Sequence, residues 1–219
     1  MSISEGGHAD LSRGRWDRSS LDDANVAGAA LADSSWFCVS ARRANATNAT
    51  GESMTASDCT FAGALFAGFA GRYATFRNCD FRSADLTGAY LYRASFLGDP
   101  PASACLAGAR LDGANLTQAY LAADFTGASV RQAWATYARI NQSVFTDADL
   151  RGTSLFHASA VKTDFTGARL GGQRGAIFAD RCPGLPEALG HGEDPDSKHI
   201  AELTEELTAL LARDSRKST

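Results

Sequence analysis

The chain is short of the residues that catalysis, metal binding and membrane insertion draw on. Among 219 residues there are four histidines, five cysteines, five prolines and two methionines. No run approaches the ~20 consecutive apolar residues of a membrane-spanning helix, which excludes that class of integral protein. No basic segment followed by an apolar run opens the chain, so a cytoplasmic location is expected. Lys and Arg number 21 against 25 Asp and Glu, and a net charge of −4 excludes a nucleic-acid binder that works by excess positive charge. The cysteines, at 38, 59, 79, 105 and 182, make no C-x-x-C pair and are expected to be buried free thiols in a reducing cytosol. His8, His157, His191 and His199 share no metal-ligand spacing, and no nucleophile elbow, phosphate loop or dinucleotide fingerprint occurs. No enzyme, metal or cofactor is expected.

What the chain does have is a period of five. Neither the 3.6-residue helical pattern nor simple alternation describes it before residue 195. Large apolar residues recur instead at Phe61, Phe66, Phe76, Phe81, Leu86, Leu91, Phe96, Leu106, Leu111, Leu116 and Leu121. After a slip of one residue they continue through Phe125, Val130, Ile140, Phe145, Leu150, Leu155, Phe165 and Leu170. Upstream, Leu11, Trp16, Leu21, Val26, Leu31 and Trp36 keep the first phase. Two residues before most centres stands a small residue, as in Ala84-Asp85-Leu86-Thr87-Gly88 and Ala114-Asn115-Leu116-Thr117-Gln118. In an extended segment, residues two apart point to the same side, so the small residue and the centre face inward together. The remaining positions must turn the chain. A five-residue side cannot bury a large residue alone, whereas sides wound into stacked coils can, which makes a solenoid.

These units resemble the pentapeptide repeat family, whose consensus is A(D/N)Lxx, and the resemblance covers roughly residues 9–172. It implies an all-β solenoid: a right-handed, four-sided parallel β-helix with 20 residues per coil. Residues 9–172 then give about eight coils, ~4.8 Å apart, in a rod roughly 40 Å long. On this frame Cys59 and Cys79 stack one coil apart at the small inward position, as packed thiols. Two stretches depart from the pattern. Around 43–56 the centres Ala46, Gly51 and Ala56 are too small to fill a core, which reads as a thin or partly mobile segment. Leu97 to Ser103, with Asp99-Pro100-Pro101, reads as an outward loop that rejoins in phase, because Pro removes ladder donors.

The C-terminus differs in kind. Residues 173–193 read as a connection and end cap. Asp194-Pro195 is a helix start, and Ile200, Leu203, Leu207, Leu210 and Leu211 recur at helical spacing, with Glu202, Glu205 and Glu206 on the other face. A C-terminal amphipathic α-helix over 194–213 is expected, either capping the solenoid or, as in family members, forming a homodimer contact.

Placed on the rod, Asp85, Asp124, Asp147 and Asp164 are expected to share one acidic face, that of Leu86, Leu106, Phe125, Phe145 and Phe165. Arg72, Arg93, Arg110, Arg131, Arg151 and Arg169 are expected to form a row on the next face. Trp134, Tyr137, Phe156 and His157 fall on adjoining coils of a nearly uncharged face and are a candidate contact patch. The resemblance to gyrase-interacting, quinolone-resistance members implies a binding protein for a type II topoisomerase. In that role the acidic face stands in for DNA phosphates, and the Asp99, Pro100, Pro101 loop makes specific contacts. The other reading is a protein–protein interaction scaffold with no topoisomerase role. Neither binds nucleic acid or membrane directly.

The period makes Leu116 an interior residue. Leu116→Asp is expected to abolish folding, since it buries an unpaired charge between coils. Loss of cooperative thermal unfolding and of soluble yield checks this, and a soluble, cooperatively unfolding variant would sink the coil reading.

Overall fold

The computed structural model describes residues 9–98, 104–172 and 178–185. Within them the chain winds as an all-β parallel solenoid whose elements are short. They are β1 (Arg15–Asp17), β2 (Ser35–Phe37), β3 (Thr55–Ser57), β4 (Thr75–Arg77), β5 (Ser95–Leu97), β6 (Ala104–Cys105), β7 (Tyr120–Leu121), β8 (Ala123–Asp124), β9 (Ser159–Val161) and β10 (Phe178–Asp180). Strands β1-β2-β3-β4-β5-β7 form one six-stranded parallel sheet, about five turns of the solenoid. The expected helix over 194–213, most of the 173–193 connection, and the loop residues Asp99, Pro100 and Pro101 lie outside the described residues.

Single-residue bridges complete the walls and define four faces. The first runs Asp10, Ala30, Thr50, Ala70, Tyr90, Asn115, Trp134, Ser154. The second carries β1 to β5, then β7, Arg139, β9 and β10. The third runs Ser20, Ser40, Thr60, Asp80, Cys105, Asp124, Val144, Asp164. The fourth runs Asn25, Asn45, Leu65, Asp85, Arg110, Ser129, Asp149, Arg169.

The five-residue period has a backbone cause. Each side is closed by a turn, as where Ala89 N–H donates to the Leu86 carbonyl at 3.0 Å. Its third residue, here Gly88 with φ of 64°, takes a left-handed conformation, as a type II turn requires. The centre then reaches the next coil: Leu86 N–H donates to Arg110 O at 2.7 Å, and Arg110 N–H returns a bond to Ala84 O at 2.9 Å. Turn and ladder thus use up the main-chain groups of the wall, as buried backbone demands. The corners do not all meet the left-handed requirement in the same way. Between the fourth and first faces the residues are Gly28, Asn48, Gly68, Gly88, Gly113, Gln132, Gly152 and Gly172. Between the first and second they are Arg13, Asp33, Ser53, Tyr73, Arg93, Gln118, Tyr137 and His157, with no glycine. A side chain in this conformation costs roughly 1–2 kcal/mol.

Inside, rings and leucines stack coil on coil. Phe61 lies over Phe81 at 4.7 Å, Phe76 over Phe96 at 4.9 Å, and Phe125 over Phe145 at 4.7 Å. Where the small position holds a hydroxyl residue, the hydroxyl donates to a nearby carbonyl: Thr163 to Ile140 O at 2.6 Å, with Ser143 to Leu121 O and Thr153 to Val130 O alike. Cys59 and Cys79 are buried free thiols at the expected position, whereas Cys38, at an outward turn position, is exposed and Cys105 and Cys182 are half-buried, against the expectation that all five are buried. The adjoining Cys59 sulfur, together with burial, pushes the Cys79 thiol well up.

Two expectations about the wall are corrected. The 43–56 stretch is ordinary, buried wall, bridged on both sides through Asn45, Thr50 and β3. Its small centres are compensated by large residues at normally small positions. The ring of Phe69 occupies the space that side chains at Gly51 and Gly71 would need, and a Cβ at Gly51 would also stand 2.8 Å from Met54 Sδ. Volume is conserved although its location moves, which is what a close-packed interior requires. The second correction is to the faces. The loop before β6 returns in the five-residue phase, but it lengthens one coil by a whole side, so Asp80 pairs with Cys105 and Asp85 with Arg110. Leu86 therefore shares its face with Leu111 and not with Leu106.

Phe69→Ala should cost about 3–5 kcal/mol, because the cavity opens beside two glycines that cannot fill it. Gly71→Leu should destabilise the native protein by overpacking and recover part of the loss when combined with Phe69→Ala. Denaturant unfolding of the two single variants and the double variant checks both statements.

Candidate binding faces

The corrected register redistributes the acidic residues. Asp124 and Asp164 remain together on the third face, joined there by Asp80, which the sequence reading had not placed with them. Asp147 sits at the corner between the third and fourth faces, with φ of 58°. Asp85 moves to the fourth face, where Arg110 approaches it at 3.5 Å.

Of these carboxylates, Asp80, Asp85, Asp124 and Asp164 are each held by the turn that follows. Asp164 Oδ1 accepts from Thr166 N–H at 2.9 Å and Thr166 Oγ1 at 2.6 Å, and Asp124 is held identically by Thr126. Asp80 receives the Arg82 N–H at 3.0 Å and a forked guanidinium contact at 2.9 and 2.7 Å. The consequence at Asp80, Asp85, Asp149 and Asp164 is a carboxyl that ionises easily. The Thr166 hydroxyl and then its N–H hold Asp164 below the ordinary carboxylate range. The Arg82 side chain does the same for Asp80, and Arg151 for Asp149. At Asp85 burial, which acts upward, is outweighed by the Thr87 hydroxyl and N–H and by Arg110.

The six arginines do not form a single row. Arg110 and Arg169 stand on the fourth face, with Arg131 and Arg151 at its far corner. Arg151 pairs with Asp149 at 2.6 Å and Arg110 with Asp85. Arg72 and Arg93 lie elsewhere, at the corner between the first and second faces. There they meet aromatic rings: the Arg72 guanidinium is 5.5 Å from the centroid of Tyr73 and 6.0 Å from those of Tyr90 and Tyr92, and Arg93 is 5.3 Å from Tyr92. The rings expected to be exposed are so, and the exposed aromatic edge is longer than the sequence suggested. Trp134 is 64% exposed, Tyr137 52% and Phe156 42%, and the tyrosines of the Arg72 cluster extend the same edge. Tyr73 could have been noticed as a ring at the turn position that glycine commonly fills.

Charge is segregated around the rod as a result. From Phe69 to Thr163 the first and second faces and their corners carry Arg72, Arg77, Arg93, Arg139 and Lys162, with no Asp or Glu among the described residues, and Asp180 of β10 stands one coil further on, beside Arg181. The third and fourth faces carry Asp80, Asp85, Asp112, Asp124, Asp147, Asp149 and Asp164 against Arg82, Arg110, Arg131, Arg151 and Arg169. Among the described residues no cluster could hold a metal ion, and no helix is long and apolar enough to cross a membrane.

Comparison with known proteins bears on the same region. A family model described as pentapeptide repeats, in eight copies, matches residues 57–98, 103–136, 123–159 and 136–172. No curated protein matches the chain. Among solved structures, HetL of the cyanobacterium Nostoc sp. strain PCC 7120, a pentapeptide repeat protein involved in heterocyst differentiation regulation, is 20% identical. The match covers 80% of this chain and 87% of that one, with a TM-score of 0.39. QnrB1, a plasmid-mediated fluoroquinolone resistance protein, is 16% identical over 80% of this chain and 87% of its own, also with a TM-score of 0.39. A thylakoid-lumen pentapeptide repeat protein of Arabidopsis thaliana is 24% identical over 51% of this chain and 61% of its own, with a TM-score of 0.24.

The depressed carboxyls give a pH dependence with a definite sign. A carboxyl whose folded pKa lies below its unfolded value of about 4 contributes stability above that value and loses it as pH falls through the folded pKa. Stability should therefore be level from pH 7 to about 5 and decline below about 4. Thr166→Val should move the Asp164 carboxyl back up toward the ordinary value. A carboxyl-detected NMR titration reads this directly, and an unmoved Asp164 would show that the hydroxyl does not hold it.

Proposed function

Because this chain belongs to the pentapeptide repeat family, we propose that it is a non-enzymatic binding protein that engages a type II topoisomerase, DNA gyrase, and protects it from a poisoning antibiotic. The rod, of about eight right-handed coils, takes the place of duplex DNA. The observation that carries the reading is the gathering of carboxylates on the third and fourth faces, away from the aromatic edge. Coils stack ~4.8 Å apart, so Asp124 and Asp164, two coils apart, stand ~10 Å apart. That is about one Debye length at physiological ionic strength, so their fields overlap along the rod. Their hydroxyl and N–H partners fix them in direction. A partner built to hold phosphates would meet a row of preoriented anions at low entropic cost. The resistance named for QnrB1 agrees with this reading, and the regulatory role named for HetL marks the alternative of a scaffold without a topoisomerase.

The test is gyrase supercoiling and drug-stabilised cleavage titrated with this protein, in the presence and absence of the poison. Rescue is expected, falling steeply with added salt and lost when Asp80, Asp124, Asp147 and Asp164 are changed together to Asn. No effect on either activity with the cognate gyrase would leave the scaffold reading.

A further inference from the structure

The edge between the first and second faces stands apart from the acidic side and from the topoisomerase reading. It spends strained backbone on presenting side chains: the left-handed positions there hold Tyr73, Tyr137 and His157 where glycine would be free of cost. The rings are organised along the rod. Tyr73 meets Tyr92 at 5.9 Å, and Tyr137 stacks on His157 at 5.1 Å with 17° between planes. Because these faces are engaged with one another, the edge suits aliphatic side chains better than inserted flat bases. From Tyr73 to His157 its charge is wholly positive, with Glu52, one coil before Arg72, the carboxylate that acts on that residue.

We propose that this edge seats the chain's own C-terminal segment, residues 194–213. The segment supplies what the edge needs: Ile200, Leu203, Leu207, Leu210 and Leu211 as an apolar stripe, and Glu202, Glu205 and Glu206 beside it. The dimensions agree. As a helix, Ile200 to Leu211 spans ~16 Å, and the four coil steps from Tyr73 to Phe156 span ~19 Å. The described chain also ends nearby. β10 pairs with β9 one coil beyond His157, and Leu185 packs into the core at that end. From Leu185 to Asp194 is nine residues, a reach of up to ~30 Å at ~3.3 Å each. The acidic leucine stripe lies along the rings of Trp134, Tyr137 and Phe156, with its glutamates toward Arg72 and Arg93. The leucines then serve an intramolecular contact instead of the homodimer the sequence suggested.

Trp134 reports on this directly, since Trp16 and Trp36 are the only other tryptophans and belong to the core side of the wall. Acrylamide quenching of the full chain, read as the difference between wild type and Trp134→Phe, should show a shielded indole. Leu203→Lys with Leu207→Lys in the full chain should raise the quenching constant severalfold and shift emission to the red, with thermal unfolding of the solenoid unchanged. Arg72→Glu with Arg93→Glu should give part of the same change without touching the leucines. The proposal is overturned if wild-type Trp134 is quenched like free N-acetyltryptophanamide, or if neither variant alters it. Shielding that appears only as concentration rises, with a doubled mass by light scattering, assigns the edge to a second copy and overturns it too. An open Trp134 that becomes shielded on adding oligothymidylate overturns it in favour of a nucleic acid.

Discussion

Everything in this molecule depends on a backbone turn that recurs every five residues and needs a positive φ at its third position. The turn is what lets a side be only one strand residue deep, and it is why the inter-coil ladder stays in register. Side chains are then sorted without further instruction. Two positions per side point in and build the core, and three point out and are left to solubility or recognition. Folding energy and surface chemistry are thereby separated to an extent a globular domain does not allow. A charged residue at an outward position touches no core atom, so faces can be rewritten while the interior stands.

The separation also explains how much could be read in advance. The period, the inward residues and the buried thiols were legible, because each depends on spacing within one unit and close packing enforces it at Leu86 as at Leu150. The weak stretch around Gly51 was misread because its remedy lies in another unit: Phe69 fills the gap from the next coil, and no pattern within one unit reveals a contact between residues 51 and 69. The acidic face was misassigned for a related reason. Face identity is a running count, and one extra side before β6 displaces every earlier residue relative to every later one, which separated Asp85 from Asp124 and brought in Asp80. Phase is local and survives insertions, whereas face is cumulative and does not.

The aromatic edge was legible in part. Trp134, Tyr137, Phe156 and His157 stood out as large residues at outward positions. Tyr73, Tyr90 and Tyr92 did not, since they precede the long coil and join the patch only once that coil is counted correctly. The arginines show the converse. A regular row in the sequence became two groups of different chemistry, one paired with carboxylates on the fourth face and one set over tyrosine rings.

The division of charge around the rod has a consequence for motion before contact. From Phe69 to Thr163, positive groups on two adjoining faces and an acid excess on the other two give that part of the rod a dipole directed across its length, perpendicular to the coil axis. A rod turns about its long axis far more easily than end over end. In the field of a charged partner it therefore rolls to the correct side while still at a distance, and the encounter is oriented before any side chain touches. A net charge near neutrality along the coils, which at first sight argues against electrostatic recognition, leaves that rolling torque in place and removes only the overall attraction or repulsion.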